Sequence, residues 1–569
     1  MKIKEALLAT SVLAIFCTPL FAGQDEVASQ YDLSGTGYGQ DINTFAHKYI
    51  QGASPYFENR VFDQQPEELY PARNYTSQTN DTQRLLAALR RASQEDSDGG
   101  VVILRAAKNG GNNRYRLDRV DMPSNVRLEV DPDVTIEMIG NLKTSGSNQF
   151  LFSIGRSPNV NNLIRERIRN VEITSTHPTR RFTIDAKTNM PISYGVHGDK
   201  TKDTAINYTR AIPIGIYYAE NFAISGIRII DNHTEHVGIS LYPDCDYKDG
   251  ALADRNGTNG NPQDDVWLGR DGQPLPMDSE GNYVDDKGRI IPDEEAIIRN
   301  LTYGRTPVKG TIENIVLQNS HTGYGAVQIF GGDWIYINNI KAVKGVGVRI
   351  EAGNGSATDN INRAGPYLSS INNVEVHNVT VTKGFTGVWL KAHGKINRNI
   401  TVSNVTAIDS GTAVITDKSR MNPHSRDFIN GRFENLTIKG NIKLIRTNKN
   451  AGKAVAEVGN MLTYFMSPAE RDNLTDRNGD GRITQADLPH NRSGRRWYLM
   501  QSTSPMVIAS QRNANEIGDT SSDIKAEEAG YYPVDFSSAV VTSENPLRPE
   551  LILFNEDSRN LNGGNSNRL

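Results

Sequence analysis

Cysteine is all but missing: Cys17 and Cys245 are the whole complement of a 569-residue chain. Cys17 falls in a segment that reads as a leader, so the mature chain has a single thiol and no internal disulfide. Cys245 reads as a packed or incidental thiol rather than a nucleophile. Long amphipathic helices are nearly absent, which removes helical architectures from consideration. Neither sign of charge dominates, with 62 Lys+Arg against 66 Asp+Glu and a net charge of -4. No global basic field exists to draw in nucleic acid or a membrane surface, and any anion-binding surface must be local. Apolar runs long enough to span a bilayer are absent beyond the first residues.

Those first residues pair Lys2 and Lys4 with an apolar run from Ala6 to Ala22, followed by Gly23-Gln24-Asp25. This is the pattern of a secretory signal cleaved after Ala22, and it implies an extracellular protein. A membrane anchor fits less well because Thr18-Pro19 breaks the run, and a lipoprotein less well because Phe16 precedes Cys17. Without disulfides, stability outside the cell must come from a large core, helped by bound ions.

What is present points to strands. Glycine is abundant, at 50 residues, and short β-branched runs end in Asn and Gly. Segments starting at Asn221, Asn339, Asn373 and Asn399 read as variants of one unit, and Asn373 to Asn399 is a step of 26 residues. Each is accompanied by a glycine and a second alternating strand, as in Gly238-Ile-Ser-Leu-Tyr, Gly325-Ala-Val-Gln-Ile, Gly347-Val-Arg-Ile-Glu and Gly387-Val-Trp-Leu-Lys. Self-similarity at this period, built of short strands, means stacked coils rather than a sandwich. One amphipathic helix is expected from Asp81 to Ser93, with Leu85, Leu86, Leu89 and Ala92 on one face behind an Asn80/Asp81 cap. It would seal the open end of the solenoid.

The fold class is therefore all-β: a right-handed parallel β-helix with an N-terminal capping helix and two loop insertions. The chain divides into a leader (1–22), an N-terminal extension (23–79), the solenoid (80–443) with an insertion at 244–310, a second insertion (444–498), and C-terminal coils with a tail (499–569). Asp271-Gly272, Gly281-Asn282 and Lys287-Gly288 suggest small hairpins in the first insertion. The second has a more helical pattern.

Alternation along a strand directs the chemistry outward. In Val348-Arg349-Ile350-Glu351 the aliphatic side chains fill the core while Arg349 and Glu351 face out, and the same holds for Trp389, Lys391 and His393. Counting back 23 residues from Glu351 reaches Gln328, about one coil away. A polar ladder of Gln328, Glu351 and Lys391, flanked by Arg349 and His393, makes a polysaccharide groove: a carboxyl able to act as an acid, cations for anionic groups, and Trp389 as a sugar platform. The glycines of Gly323-Tyr324-Gly325 and Gly331-Gly332 suggest that something approaches the backbone, which brings Tyr324 into the site. Arg210, Lys418 and Arg420 are further candidates for binding sulfate.

Gln328 in Gly-Tyr-Gly-Ala-Val-Gln, Glu351 in Val-Arg-Ile-Glu and His393 in Leu-Lys-Ala-His resemble the active-site strands of the iota-carrageenases, secreted β-helix glycoside hydrolases of marine bacteria. The resemblance spans roughly Asp81 to Asp417. It implies endo-acting hydrolysis of β-1,4 bonds of iota-carrageenan with inversion, with Glu351 as general acid and Gln328 and His393 positioning substrate or water. The family usually carries an Asp two residues after the Glu as general base, and Gly353 stands there. A Glu and an Asp at i and i+2 lie roughly 7 Å apart on a strand face, suited to an inverting site. Gly353 supplies no carboxylate, so the base must come from elsewhere, with Asp417 and Asp244 as candidates, or Gln328 and His393 hold the water unaided.

Asp476-Arg-Asn-Gly-Asp-Gly-Arg-Ile-Thr-Gln-Ala-Asp487 matches a twelve-residue calcium loop, with Asp476, Asn478, Asp480, Thr484 and Asp487 as side-chain ligands and Arg482 through its carbonyl. A structural Ca2+ is expected there. The partner expected in the groove is an anionic, sulfated polysaccharide. Two other readings stay open: a polysaccharide lyase or polygalacturonase-like enzyme, the former using Lys391, His393 or Arg349 as base, and a non-catalytic, tailspike-like sugar-binding protein. Neither the Asn-Thr-Asp nor the Gly-His-Gly motif of polygalacturonases occurs in the chain.

Overall fold

The protein is seen in a computed structural model that describes residues 66–71, 81–94, 99–108, 111–139, 148–155, 168–186, 210–231, 236–242, 252–253, 266–267, 276–284, 288, 290, 306–320, 324–352, 370–392, 395–417, 431–447, 454–457, 497–500, 504–508, 510, 532–546 and 549–554. Its strands stack into two parallel sheets, one of 14 strands and one of 10. The chain alternates between them coil by coil, which makes a right-handed parallel β-helix.

The core follows from the alternation. In the smaller sheet Val327, Val348, Val388 and Val414 lie in register, as do Ile329, Ile350 and Leu390, and all are fully buried. Opposite them, Ile337, Val376, Val402 and Ile438 form the matching inward column of the larger sheet. Each such side chain contributes about 1.5–3 kcal/mol on full burial, and every coil adds several.

The long strands of the larger sheet, which reach 14 residues, are each bent twice. The bends are residues with left-handed φ, a conformation that costs most L-residues about 1–2 kcal/mol and that Asn tolerates. Asn125, Asn170, Asn221, Asn373, Asn399 and Asn435 hold φ of 50° to 60° at the first bend. The amide Nδ2 of Asn170 donates to Asn125 Oδ1 (2.7 Å), Asn221 to Asn170 (2.6 Å), Asn399 to Asn373 (2.9 Å) and Asn435 to Asn399 (3.0 Å). Lys309 and Trp334 take the same bend in the two intervening coils. Asn339 belongs to the second bend, with Asn314, Asn378 and Asn404. The unit beginning at Asn339 is therefore displaced by one bend from those at Asn221, Asn373 and Asn399, a correction to the repeat read from sequence.

The helix Thr82–Gln94 buries Leu85, Ala88, Leu89 and Ala92 against the strands Gly100–Leu104, Val120–Met122 and Val126–Val130, while Leu86 is only half-buried. Asp81 occupies the cap position: its carbonyl accepts from Leu85 N, and its carboxylate pairs with Arg84. A short strand ahead of the helix, Glu67–Leu69, pairs with Gly100–Leu104 and covers that edge. Tyr115 Oη pins it by donating to the Leu69 carbonyl. In the first insertion, Leu252–Ala253 pairs antiparallel with Val266–Trp267, and bridges at Met277/Tyr283 and Val284/Ile290 flank the expected turns at Gly281-Asn282 and Lys287-Gly288. The described parts of the second insertion, Ala454–Glu457 and Trp497–Met500, pair as antiparallel strands rather than helices.

At Gly325 the expected close approach is met by the protein itself, and the same holds at Gly347. A Cβ on Gly325 would stand 1.8 Å from the Val346 carbonyl oxygen of the next coil, and one on Gly347 would stand 2.5 Å from Val379 in the core. These glycines let coils pack tightly rather than admit a ligand.

Candidate active site

Two outward columns cross the smaller sheet. In the first, Ser153, Gly215, Ser240, Gln328, Arg349 and Trp389 lie in register from strand to strand. In the second, Glu351, Lys391 and Asp417 lie in register. Tyr217, Tyr242 and Phe330 each follow the last inward residue of a strand (Ile216, Leu241, Ile329), which continues this second column in the other direction. Gln328 is thus aligned with Arg349, not with Glu351 as the 23-residue spacing suggested. The two side chains nevertheless meet diagonally, Gln328 Nε2 donating to Glu351 Oε2 at 2.9 Å.

Glu351 is the hub. Lys391 Nζ donates to its Oε1 at 3.3 Å, and the Arg349 guanidinium pairs with Oε2. Glu351 is only 4% exposed. Deleting one partner of a buried ion pair costs about 3–5 kcal/mol because the other charge is left uncompensated, so each of these groups needs an ionic partner. Trp389 steadies it from the side: Arg349 lies over its indole at 4.7 Å from the centroid and Lys391 at 4.6 Å. Arg349 also lies over the Tyr324 ring at 5.4 Å.

Trp389 is therefore not the open sugar platform that its outward position implied. It is 7% exposed, edge-on to Phe385, and its ring is engaged by two cations. Arg210 is also not brought to the cluster. It begins its strand five residues ahead of Gly215, roughly 16 Å along the chain, and three strands away from Glu351. His393, Gly353, Asp244, Lys418, Arg420 and the loop of Asp476, Asn478, Asp480, Arg482, Thr484 and Asp487 lie outside the described residues.

Sequence reading missed an aromatic cluster beside the hub. Tyr217 stacks on Tyr242 (centroids 4.9 Å apart) and Tyr242 on Phe330 (4.8 Å), with Phe150 edge-on to both tyrosines. Because these faces are spent on one another, the stack is a stiffener of the sheet and not a sugar platform. His236 Nε2 meets Tyr242 Oη at 2.8 Å, and its ring stacks on Tyr324. The signal was the ring directly after the last aliphatic residue of three successive coils. Gln328 Oε1, Ser240 Oγ, Ser153 Oγ and Trp389 Nε1 are buried and make no hydrogen bond among the described residues. A buried polar atom left in this way costs about 1–3 kcal/mol, and all four stand in the first outward column.

The larger sheet has its own polar face between the two Asn bends. His377 bridges Ser403 Oγ (2.5 Å) and Glu375 Oε2 (2.7 Å), with Tyr336 tilted against its ring. Backbone amides on such a face are engaged in the sheet ladder, so no oxyanion hole accompanies this Ser-His-Glu contact. Nearby, burial pushes the Glu313 carboxyl up to about 7 against a single hydrogen bond from Asn338. A raised folded-state value means that the contribution to stability is fully present below about 4.5 and is lost as pH rises through about 7. A Glu313→Gln variant is expected to remove that loss. Its thermal midpoint should change less than the wild type's between pH 4.5 and 8, the difference approaching about 3 kcal/mol at the alkaline end. Parallel melting curves of the two proteins across this range would refute the assignment.

No family model matches the chain. It is 28% identical over 206 residues to the iota-carrageenase of Zobellia galactanivorans, covering 32% of this chain and 40% of that one. It is 24% identical over 306 residues to the iota-carrageenase of Alteromonas macleodii, covering 54% and 44%. The matched regions thus span less than half the length of these curated relatives. Among solved structures, a 1,3-alpha-1,4-beta-D-galactose-4-sulfate-3,6-anhydro-D-galactose-2-sulfate 4 galactohydrolase superposes with a TM-score of 0.52 at 19% identity, over 88% of this chain and 93% of that one. The iota-carrageenase from A. fortis superposes with 0.53 at 17%, over 87% and 91%. The chain resembles the iota-carrageenases in sequence over part of its length and in fold over most of it.

Proposed function

We propose that the chain is a secreted, endo-acting glycoside hydrolase that cleaves β-1,4 linkages of a sulfated galactan, iota-carrageenan, with inversion. One observation carries this reading: a buried carboxyl, Glu351, set among Gln328, Arg349 and Lys391 on one face of a parallel β-helix. Glu351 is the general acid, protonating the glycosidic oxygen, while Gln328 and His393 position substrate or water. Arg349 and Lys391 receive sulfate. The relative solved with iota-carrageenan fragments supports the choice of polymer.

The base missing at Gly353 is assigned to Asp417. It shares the outward column with Glu351, two coils on, with Lys391 between them. Two strand spacings come to roughly 9.6 Å, close to the upper end of the ~6.5–9.5 Å that leaves room for water in an inverting site and far from the ~5–5.5 Å of a retaining one. Of the candidate bases for a lyase, Arg349 and Lys391 are tied to Glu351, which disfavours them in that role, and His393 lies outside the described residues.

The test is a reducing-end assay on iota-, kappa- and lambda-carrageenan and on polygalacturonate, with absorbance read for unsaturated ends. Selective release from iota-carrageenan without ultraviolet-absorbing product is expected. Product from polygalacturonate alone, or unsaturated ends, would overturn the reading.

The loop from Asp476 to Asp487 is proposed to hold a structural calcium ion, since its donors are the oxygen ligands that a hard cation takes. Chelation of the purified protein is expected to lower the thermal midpoint by about 5 °C, as a ~3 kcal/mol loss of bound-ion stabilisation would in a large domain. Ca2+ should restore it to the wild type and not to Asp480→Ala. An unchanged midpoint would remove the ion from the account.

A further inference from the structure

The resting arrangement of Glu351 is that of a conjugate base already satisfied, not of an acid. Gln328 Nε2 donates to one carboxylate oxygen at 2.9 Å and Lys391 Nζ to the other at 3.3 Å, and Arg349 pairs with the first. A carboxylate in two ion pairs has no proton to give to a leaving oxygen. Something must relieve it of its cations before it can act.

We propose that the anionic groups of the substrate do this: sulfates draw Arg349 and Lys391 away from Glu351, and the carboxylate, stripped of both cations, takes up the proton that it later delivers. This deepens the reading of Glu351 as general acid and rests on it. Arg349 and Lys391 become specificity-determining residues that couple the charge of the polymer to the chemistry. An uncharged galactan would bind beside an acid that stays ionised.

The geometry suits such an exchange. Both cations lie over Trp389, so each keeps one partner while it changes the other. Among the described residues, the groups that face Glu351 are Arg349 on its own strand, Gln328 on the preceding one and Lys391 on the following one. Tyr324 lies behind Arg349, and Asp417 beyond Lys391. An opposite charge within about 4–6 Å favours the ionised carboxyl by one to three pH units, so losing both partners moves it far enough to matter near neutrality. The protons balance. One is taken from solvent on binding and passes to the glycosidic oxygen as the bond breaks. The attacking water gives one to the base as the new bond forms.

Two measurements test this. The first is kcat on iota-carrageenan oligosaccharides and on the same oligosaccharides after chemical desulfation, from pH 5 to 8. The ratio of the two should grow by up to tenfold per pH unit, because only the sulfated chain keeps the acid protonated as pH rises. In Lys391→Met the growth should flatten. The second is calorimetry of a sulfated tetrasaccharide in two buffers of different ionisation heat at pH 7, where wild type should take up about one proton per site and Glu351→Gln none. A ratio constant with pH, or equal proton uptake by both proteins, would overturn the coupling while leaving the hydrolase reading intact. Loss of the hydrolase reading would show differently, as no cleavage of the sulfated chain by wild type at any pH.

Discussion

Replacing Glu351 by Gln is expected to lower kcat on iota-carrageenan by a factor of about 10³, with KM within about threefold of wild type. The amide keeps the shape of the carboxyl and an oxygen for the Lys391 ammonium, but it has no proton to deliver. A companion variant separates the two halves of the chemistry. Asp417→Asn should also lose about 10²- to 10³-fold in kcat, and azide should restore activity to it and not to Glu351→Gln, because a small anion can replace activated water but not a proton donor. The pair of rates with and without azide decides the matter. A Glu351→Gln enzyme within tenfold of wild type would remove Glu351 from the acid's role. An Asp417→Asn enzyme that keeps full kcat would send the search for the base to another coil. Melting curves of both variants serve as the control for folding.

The largest effect on stability is expected in the larger sheet, where Phe222 lies over Gly310 of the next coil. The ring is buried, and a Cβ on Gly310 would stand 1.9 Å from its Cζ. Phe222→Ala should cost about 3–5 kcal/mol through lost burial and the cavity left behind. Gly310→Ala alone should cost about 1–3 kcal/mol, since the added methyl drives into the ring. The double variant should be less destabilised than the sum by about 1–3 kcal/mol, because the methyl then occupies space that the ring vacated. Thermal midpoints of the four proteins measure this. Strict additivity would show that the two residues do not share the space the geometry gives them.

Much of this architecture is legible in the sequence, for a physical reason. The 26-residue step from Asn373 to Asn399 survives because both must supply a left-handed bend and an amide for the ladder, a demand that few residue types meet. Val348 and Ile350 declare their inward direction by alternation, and with it the outward direction of Arg349 and Glu351. The places where reading failed are those where the decisive partner is far along the chain. Asn339 looks like Asn373, yet which of two bends it makes is settled by its alignment with Asn314 and Asn378. Trp389 looks like a sugar platform until Arg349 arrives over it from the preceding coil. Gln328 was placed opposite Glu351 by counting, while the hydrogen-bonded register sets it opposite Arg349 and leaves the contact with Glu351 to the reach of its side chain. The aromatic stack was invisible because Tyr217, Tyr242 and Phe330 are separated by unequal lengths of chain.

Those unequal lengths have a consequence of their own. Rungs of the first Asn ladder are 45, 51, 26 and 36 residues apart, yet the bends they join stay in register from strand to strand. Three of the described stretches end at or next to the site column, at Tyr242, Ala352 and Asp417. Coil length and coil register are therefore independent, and chain can be added between strands without moving Gln328, Glu351 or Lys391 out of register.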